Sequence, residues 1–356
     1  MLYATDLCDS ACKHCLIWTK RPVNYLPFEK MKEIMQSKCV TRNTSIGLEG
    51  GEFLLHPHAI DILQWFEEHH KNFDLLSNGL NPSFMVSAVK KHPPRRLYIS
   101  LDGTKSTYEH MRGKDGYDGI INAIESLHKT LPISLMFTLS PYNDYSDLEH
   151  VANICLKYNI DLRIGVYNDI AFFDTVDKAH QTGFGQLKHQ EPYTYKKAKA
   201  LMHEKNLVTE VETKTISHEA SQDEIPAIVK KFSENYDFLV LYNQWRKNQL
   251  HLKCFSILDS LVVLPNGDVP ICQNKDVMIG NVHSNSLDEI FNSAATIELQ
   301  KHYVTNCNDC WINFHRKYDV VLYRSFEKYF GSWVTSKLFG HYQWDEDNRS
   351  YAEVTR

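Results

Sequence analysis

Nine cysteines carry most of the recognisable chemistry of this 356-residue chain, and seven of them are grouped. Cys8, Cys12 and Cys15 form C-x3-C-x2-C, while Cys254 and Cys272 precede the pair Cys307 and Cys310 in C-x2-C. Thiolates are soft ligands, and three of them in one loop can converge on a single soft metal centre. Around a four-iron cluster, three ligands leave one iron open. A zinc site completed by His14 is the alternative for the same residues. The later four cysteines can ligate a second four-iron cluster completely, or hold tetrahedral zinc as a ribbon. Clustering of this kind fits metal ligation in a reducing compartment better than a disulfide framework. Cys39 and Cys155 stand outside the groups and read as small buried hydrophobes.

The elements that must position these residues follow from the hydrophobic pattern. Leu2–Thr5, Ser45–Leu48, Phe73–Leu76, Arg96–Leu101, Ile133–Leu139 and Asp161–Val166 read as short strands. Helical stretches such as Pro27–Gln36 and Asp118–His128 separate most of them. Repeated strand–helix units imply a parallel sheet, so the fold class is α/β: a partial (β/α)6 TIM-like barrel with a small C-terminal α+β cluster-binding module. Its active site belongs at the C-terminal strand ends. The expected divisions are a core over 1–170, a helical connector over 171–250, a cluster module over 251–312 and an aromatic-rich helical tail over 313–356. Leu261–Cys272 alternates and turns at Pro265-Asn266-Gly267-Asp268, which predicts a hairpin there.

Composition excludes several classes. Hydrophobic residues make up 43% and charged residues 23%, which is ordinary globular usage. A net charge of −5 gives no field to attract phosphate backbones, despite Lys196, Lys197 and Lys199, so nucleic acid is not an expected partner. No apolar run is long enough for a membrane span, and the first residues lack a signal-peptide pattern, so a cytoplasmic location is expected. Among eighteen histidines, His56, His58, His69 and His70 read as solvated or capping side chains.

The first cysteine motif, with Leu16 and Trp18 behind it, resembles the signature of the radical S-adenosylmethionine (SAM) superfamily. Three more segments fall at predicted strand ends in that family's order. Gly50-Gly51-Glu52 is similar to its GGE segment, although Phe53 stands where proline is commoner. Ser77-Asn78-Gly79 resembles the T/S-N-G segment, and Ser100-Leu101-Asp102-Gly103 the S-L-D-G segment. Arg112 matches an arginine that contacts the SAM carboxylate in relatives. Taken singly, each has a bland reading as a turn or a surface residue. The resemblance implies that Cys8, Cys12 and Cys15 hold a SAM-cleaving [4Fe–4S] cluster. It also implies that Gly50, Gly51, Glu52, Ser77, Asn78, Ser100, Asp102 and Arg112 bind SAM, whose cleavage yields a 5′-deoxyadenosyl radical.

Cys254, Gly267, Cys272, Cys307 and Cys310 resemble the twitch module, a shortened relative of the SPASM domain. That implies an auxiliary [4Fe–4S] cluster on the four cysteines. A closed cluster has no free iron for substrate, which leaves electron transfer as its simplest role. The implied reaction is a dehydrogenase-like two-electron oxidation of a sugar or cyclitol, with flavodoxin or ferredoxin as reductant. Maturation of a ribosomal peptide is the second reading. The cluster motif begins at residue 8, so an N-terminal peptide-binding winged domain is not expected in this chain. A non-enzymatic zinc-binding scaffold is the third. Strand-end residues Tyr98, Ser140, Asn143, Arg163, Tyr167 and Asn168 are further candidates for the pocket wall. Nothing in the sequence identifies the substrate, the hydrogen donor or the oligomeric state.

Overall fold

The computed structural model describes residues 1–168, 170–173, 175, 184, 225–247 and 250–339. Six strands, β1 (Leu2–Thr5), β2 (Ile46–Gly50), β3 (Phe73–Ser77), β4 (Arg96–Ser100), β5 (Ile133–Leu139) and β6 (Asp161–Val166), lie side by side in chain order. Every pairing is parallel. Helices α1 (Phe28–Met35), α2 (Ala59–His69), α3 (Pro82–Lys91), α4 and α5 (Lys105–Arg112, Tyr117–Leu127) and α6 (Tyr145–Tyr158) form the crossovers. This is the partial barrel expected from the alternation, with strand boundaries within two residues of those read from sequence.

Period-two alternation explains why the sheet has one greasy and one functional face. Leu48, Leu75, Leu97, Ile99, Leu135, Phe137, Leu162 and Ile164 are fully buried in the main core. The intervening residues Glu49, Leu76, Tyr98, Ser100, Met136, Thr138, Arg163 and Gly165 line the cavity inside the barrel.

The C-terminal module departs from expectation in one respect. Gly267 does make the turn, with φ of 85°, and its N–H donates to the Leu264 carbonyl at 2.9 Å. The antiparallel ladder, however, joins β7 (Asp268–Pro270) to β8 (Met278–Asn281), beyond Cys272. The residues before the turn have another partner: Val263 bridges to Leu2 in parallel, and the Tyr3 N–H donates to the Val263 carbonyl at 2.9 Å. The open edge of β1 takes the hydrogen bonds that a simple hairpin would have used.

Helix α7 (Ser233–Arg246) is almost wholly buried and packs on β6, so this part of the expected connector belongs to the core. Most of residues 171–224, Lys196, Lys197 and Lys199 included, lie outside the described residues, as do 340–356. After α8 (Leu287–Asn292) and α9 (Ala294–Asn306), α10 (Asn313–Phe339) runs through a break at Gly331. No helix among the described residues is long and apolar enough to cross a membrane. His56 and His70 are buried and not solvated. His56 Nδ1 accepts from His58 N–H at 3.1 Å just before α2, in line with the capping alternative, and its Nε2 lies 3.1 Å from the Leu26 carbonyl oxygen. His70 Nε2 lies 2.7 Å from the Thr44 carbonyl oxygen.

Candidate active site

The loop after β1 carries the first three cysteines and is pinned on both sides. Ala11 N–H and Lys13 N–H donate to the carbonyls of Arg112 and Met111 at the end of α4, each at 2.9 Å, and Leu16 N–H donates to Phe173. Gly51 N–H and Glu52 N–H donate to the carbonyls of Thr5 and Leu7 at 2.7 and 2.8 Å. This close approach requires the glycines: a Cβ on Gly50 would lie 2.4 Å from the Thr5 oxygen, and one on Gly51 2.3 Å from the Leu7 oxygen.

Cys8, Cys12 and Cys15 all face one cavity at the C-terminal strand ends. Burial pushes the Cys8 thiol up to about 12 and the Cys15 thiol higher still, with the neighbouring cysteines adding to the rise. Thiolates buried together need a cation to offset their charge, which is what bound iron supplies. Polar groups are also aimed at the sulfurs. Arg112 Nη1 is 3.5 Å from Cys12 Sγ, Asn78 Nδ2 3.8 Å from Cys8 Sγ, and Ser10 Oγ 2.9 Å from Cys12 Sγ. Among the described residues no three His, Cys, Asp or Glu side chains are close enough to hold one metal ion, and His14 Nδ1 is buried without a partner.

The residues assigned to SAM divide into two groups. Gly50, Gly51, Asn78, Ser100 and Arg112 line the cavity beside the cysteines. Glu52, Ser77 and Asp102 stand behind that wall, all buried. The Glu52 carboxylate, which the resemblance assigns to the methionyl ammonium, is committed elsewhere. It accepts from Asn78 N–H at 2.7 Å, Ser77 Oγ at 3.0 Å and Leu54 N–H at 3.2 Å. Burial nevertheless raises it to about 7. Asp102 accepts from Arg112 Nε at 2.8 Å and from Thr138 N–H at 3.0 Å. These three side chains hold the wall in shape, and Arg112 reaches the cavity on a carboxylate support.

Of the further strand-end candidates, Tyr98, Arg163, Tyr167 and Asn168 line the cavity. Ser140 and Asn143 do not: Asn143 Oδ1 accepts from Ser140 N–H at 2.8 Å and its amide donates to the Asp102 and Thr138 carbonyls. Sequence reasoning did not single out Glu49, Met136 or Thr138, although strict alternation along the strands marks them as inward. It also missed Gln273 and Asn313, which enter from the C-terminal module. Asn313 Oδ1 accepts from Arg163 Nε at 2.6 Å, tying α10 to β6.

Cys254, Cys272, Cys307 and Cys310 gather away from this cavity. Each of Cys254, Cys272 and Cys310 is within electrostatic reach of Cys307, and burial raises all three, Cys272 to about 11. Isoleucines 257 and 271 pack around Cys254. Cys155 is fully buried as expected, whereas Cys39 is only half-buried, with Sγ 3.3 Å from Asp288 Oδ1.

The sequence profile of the radical SAM superfamily matches residues 2–155, and that of the SPASM iron–sulfur cluster-binding domain matches 254–311. No curated protein sequence matches the chain. Among solved structures, Streptococcus suis SuiB bound to S-adenosylmethionine superposes with a TM-score of 0.55 at 13% identity, covering 84% of this chain and 66% of SuiB. SuiB bound to precursor peptide SuiA gives 0.54 at 14% identity over 84% and 65%. The protein anSMEcpe with bound AdoMet gives 0.53 at 14% identity over 92% and 95%. The chain thus spans just under two thirds of SuiB's length, and these likenesses establish the fold. With both profiles in place over the two cysteine groups, the chain belongs to the radical SAM superfamily, its cofactors being SAM, a [4Fe–4S] cluster and an auxiliary iron–sulfur cluster in the SPASM domain.

Proposed function

We propose that the chain modifies a peptide by radical chemistry in the barrel cavity, with Cys8, Cys12 and Cys15 holding the SAM-cleaving cluster and Cys254, Cys272, Cys307 and Cys310 the auxiliary one. When bound, the first cluster and SAM supply a 5′-deoxyadenosyl radical that removes a hydrogen atom from substrate. The chain's own residues bind and exclude water. Gly50 and Gly51 let backbone approach SAM closely, Asn78, Ser100 and Arg112 offer it polar contacts, and Glu52, Ser77 and Asp102 keep those groups in place. Gln273 and Asn313 close the cavity from the C-terminal side.

The observation that carries the peptide reading is the likeness, over 84% of this chain, to SuiB solved with its precursor peptide. The sugar or cyclitol oxidation read from the cysteine count is the second reading. The polar cavity wall of Glu49, Tyr98, Arg163 and Asn168 favours it, because such groups suit a small hydroxylated substrate. An oxidoreductase outcome and a flavodoxin or ferredoxin donor are compatible with both. Anaerobic protein supplied with dithionite and SAM would be offered peptides encoded by neighbouring genes and, separately, a panel of sugars and cyclitols. A mass change in a peptide is the expected result. A dehydrogenated sugar with every peptide unaltered would replace the first reading by the second.

A further inference from the structure

The first turn of α10 opens what the sequence marks as an aromatic-rich helical tail, and its side chains reach the segments that carry the second cysteine group. Arg316 is fully buried. Its Nε donates to the Cys310 carbonyl at 3.1 Å, Nη1 to the Leu252 carbonyl at 2.9 Å, and Nη2 to Asn308 Oδ1 at 3.0 Å. The guanidinium therefore braces the segments on either side of the site, one leading into Cys254 and the other spanning Cys307 to Cys310. Among the described residues its carboxylate partner is Asp319, 3.4 Å away, which also accepts from Phe255 N–H at 2.9 Å.

His315 forms a second arm. Its Nε2 faces the Gln273 N–H at 3.3 Å, so that nitrogen must accept and the ring proton sits on Nδ1. Nδ1 then donates to Ser256 Oγ at 2.9 Å, which leaves the Ser256 hydroxyl proton for Cys254 Sγ at 3.5 Å. An iron-bound thiolate only accepts, so the chain has one consistent direction, from the residue after Cys272 to the sulfur of Cys254.

A four-iron core on four thiolates carries negative charge that grows by one on reduction. A buried cation and hydrogen bonds to ligand sulfur both favour the more negative state. We propose that Arg316, seconded by the His315–Ser256 chain, raises the reduction potential of the auxiliary cluster and so poises it to accept an electron from the substrate radical. This rests on the ligand reading given above. It makes Arg316 a positioning and tuning residue, since the guanidinium touches the protein around the cluster and not the substrate.

The test is a redox titration of the reconstituted holoenzyme, following the auxiliary cluster by electron paramagnetic resonance. Arg316→Gln is expected to make its reduction at least about tenfold less favourable, a shift of about 59 mV for one electron. Arg316→Lys keeps the charge and should recover most of that shift, which a purely structural role would not require. Ser256→Ala should move the potential the same way by less. A potential for Arg316→Gln equal to wild type, with both clusters present, overturns the proposal. Should Arg316→Gln lose the auxiliary irons, Ser256→Ala decides: a lowered potential supports the proposal and a wild-type one overturns it. A wild-type chain that binds only about four irons would instead overturn the ligand reading.

Discussion

The two cysteine sites solve opposite problems. At the barrel, three cysteines lie on one loop and face a cavity walled by β2 to β6 and, from the C-terminal side, by Gln273 and Asn313, so one side of the cysteine site is left for SAM and substrate. In the SPASM module, four cysteines from three segments converge, and side chains from α10 hold the loops between them. The polar support follows the same division. Asp102 presents Arg112 to an accessible wall, whereas Arg316, beside Asp319, donates to carbonyls and an amide within the protein. On the ligand sets proposed above, the barrel cluster keeps an open iron for a ligand, and the closed SPASM cluster is left to exchange electrons or hold the fold.

The largest effect that could break this comparison is at the open site. Cys12→Ala should reduce formation of 5′-deoxyadenosine, measured with dithionite and SAM but without substrate, to background. Wild-type cleavage by that variant would misplace the site. Next, replacing Cys307 and Cys310 together with Ala should leave SAM cleavage in place, halve the iron from about eight to about four per chain, and nearly abolish product. Normal turnover with only four irons would remove the electron-transfer role.

Smaller effects sharpen the comparison. Asp102→Asn takes a charge-assisted partner from Arg112, a contact worth about 1.5–3 kcal/mol, so SAM binding by calorimetry should weaken about tenfold. Glu52→Ala acts through the 77–79 turn and the Leu54 N–H, and SAM affinity should fall by a few-fold while first-cluster iron is kept. A tenfold loss there would return Glu52 to direct contact with SAM. The smallest concerns Glu49, whose carboxylate burial raises from 4.5 to about 7. A raised folded value means the folded state binds the proton more tightly. Stability from this group is therefore full below about pH 4.5 and lost as pH rises through 7. In urea unfolding of the apoprotein, Glu49→Gln should remove a pH-dependent part on the order of 1 kcal/mol, allowing for water in the cavity.

Much of this arrangement is written in short-range sequence. Strands β2 to β6 alternate buried apolar residues with cavity-facing ones between turn residues, and the C-x3-C-x2-C loop needs only eight residues to declare its chemistry. The strand-end glycines are legible because only glycine tolerates the approach of Thr5 and Leu7. The hairpin was misplaced because local alternation cannot reveal that β1 offers Val263 a better partner. Glu52, Asp102 and Arg112 were found as residues but not as a division of labour, since which carboxylates turn inward depends on contacts such as that between Thr138 and Asp102. Arg316 and His315 gave no signal, because their partners lie as far as 64 residues away and an aromatic-rich helix looks the same whether it packs or braces a metal site.

The contrast between open and closed sites is tested most directly by adding SAM to the dithionite-reduced holoenzyme and recording its paramagnetic resonance spectrum. SAM should change one of two cluster signals, the one missing from a Cys8→Ala, Cys12→Ala, Cys15→Ala triple variant, and leave the other untouched. A SAM-induced change in the signal that survives in that triple variant would show an accessible iron at the SPASM site and contradict the assignment of open and closed clusters.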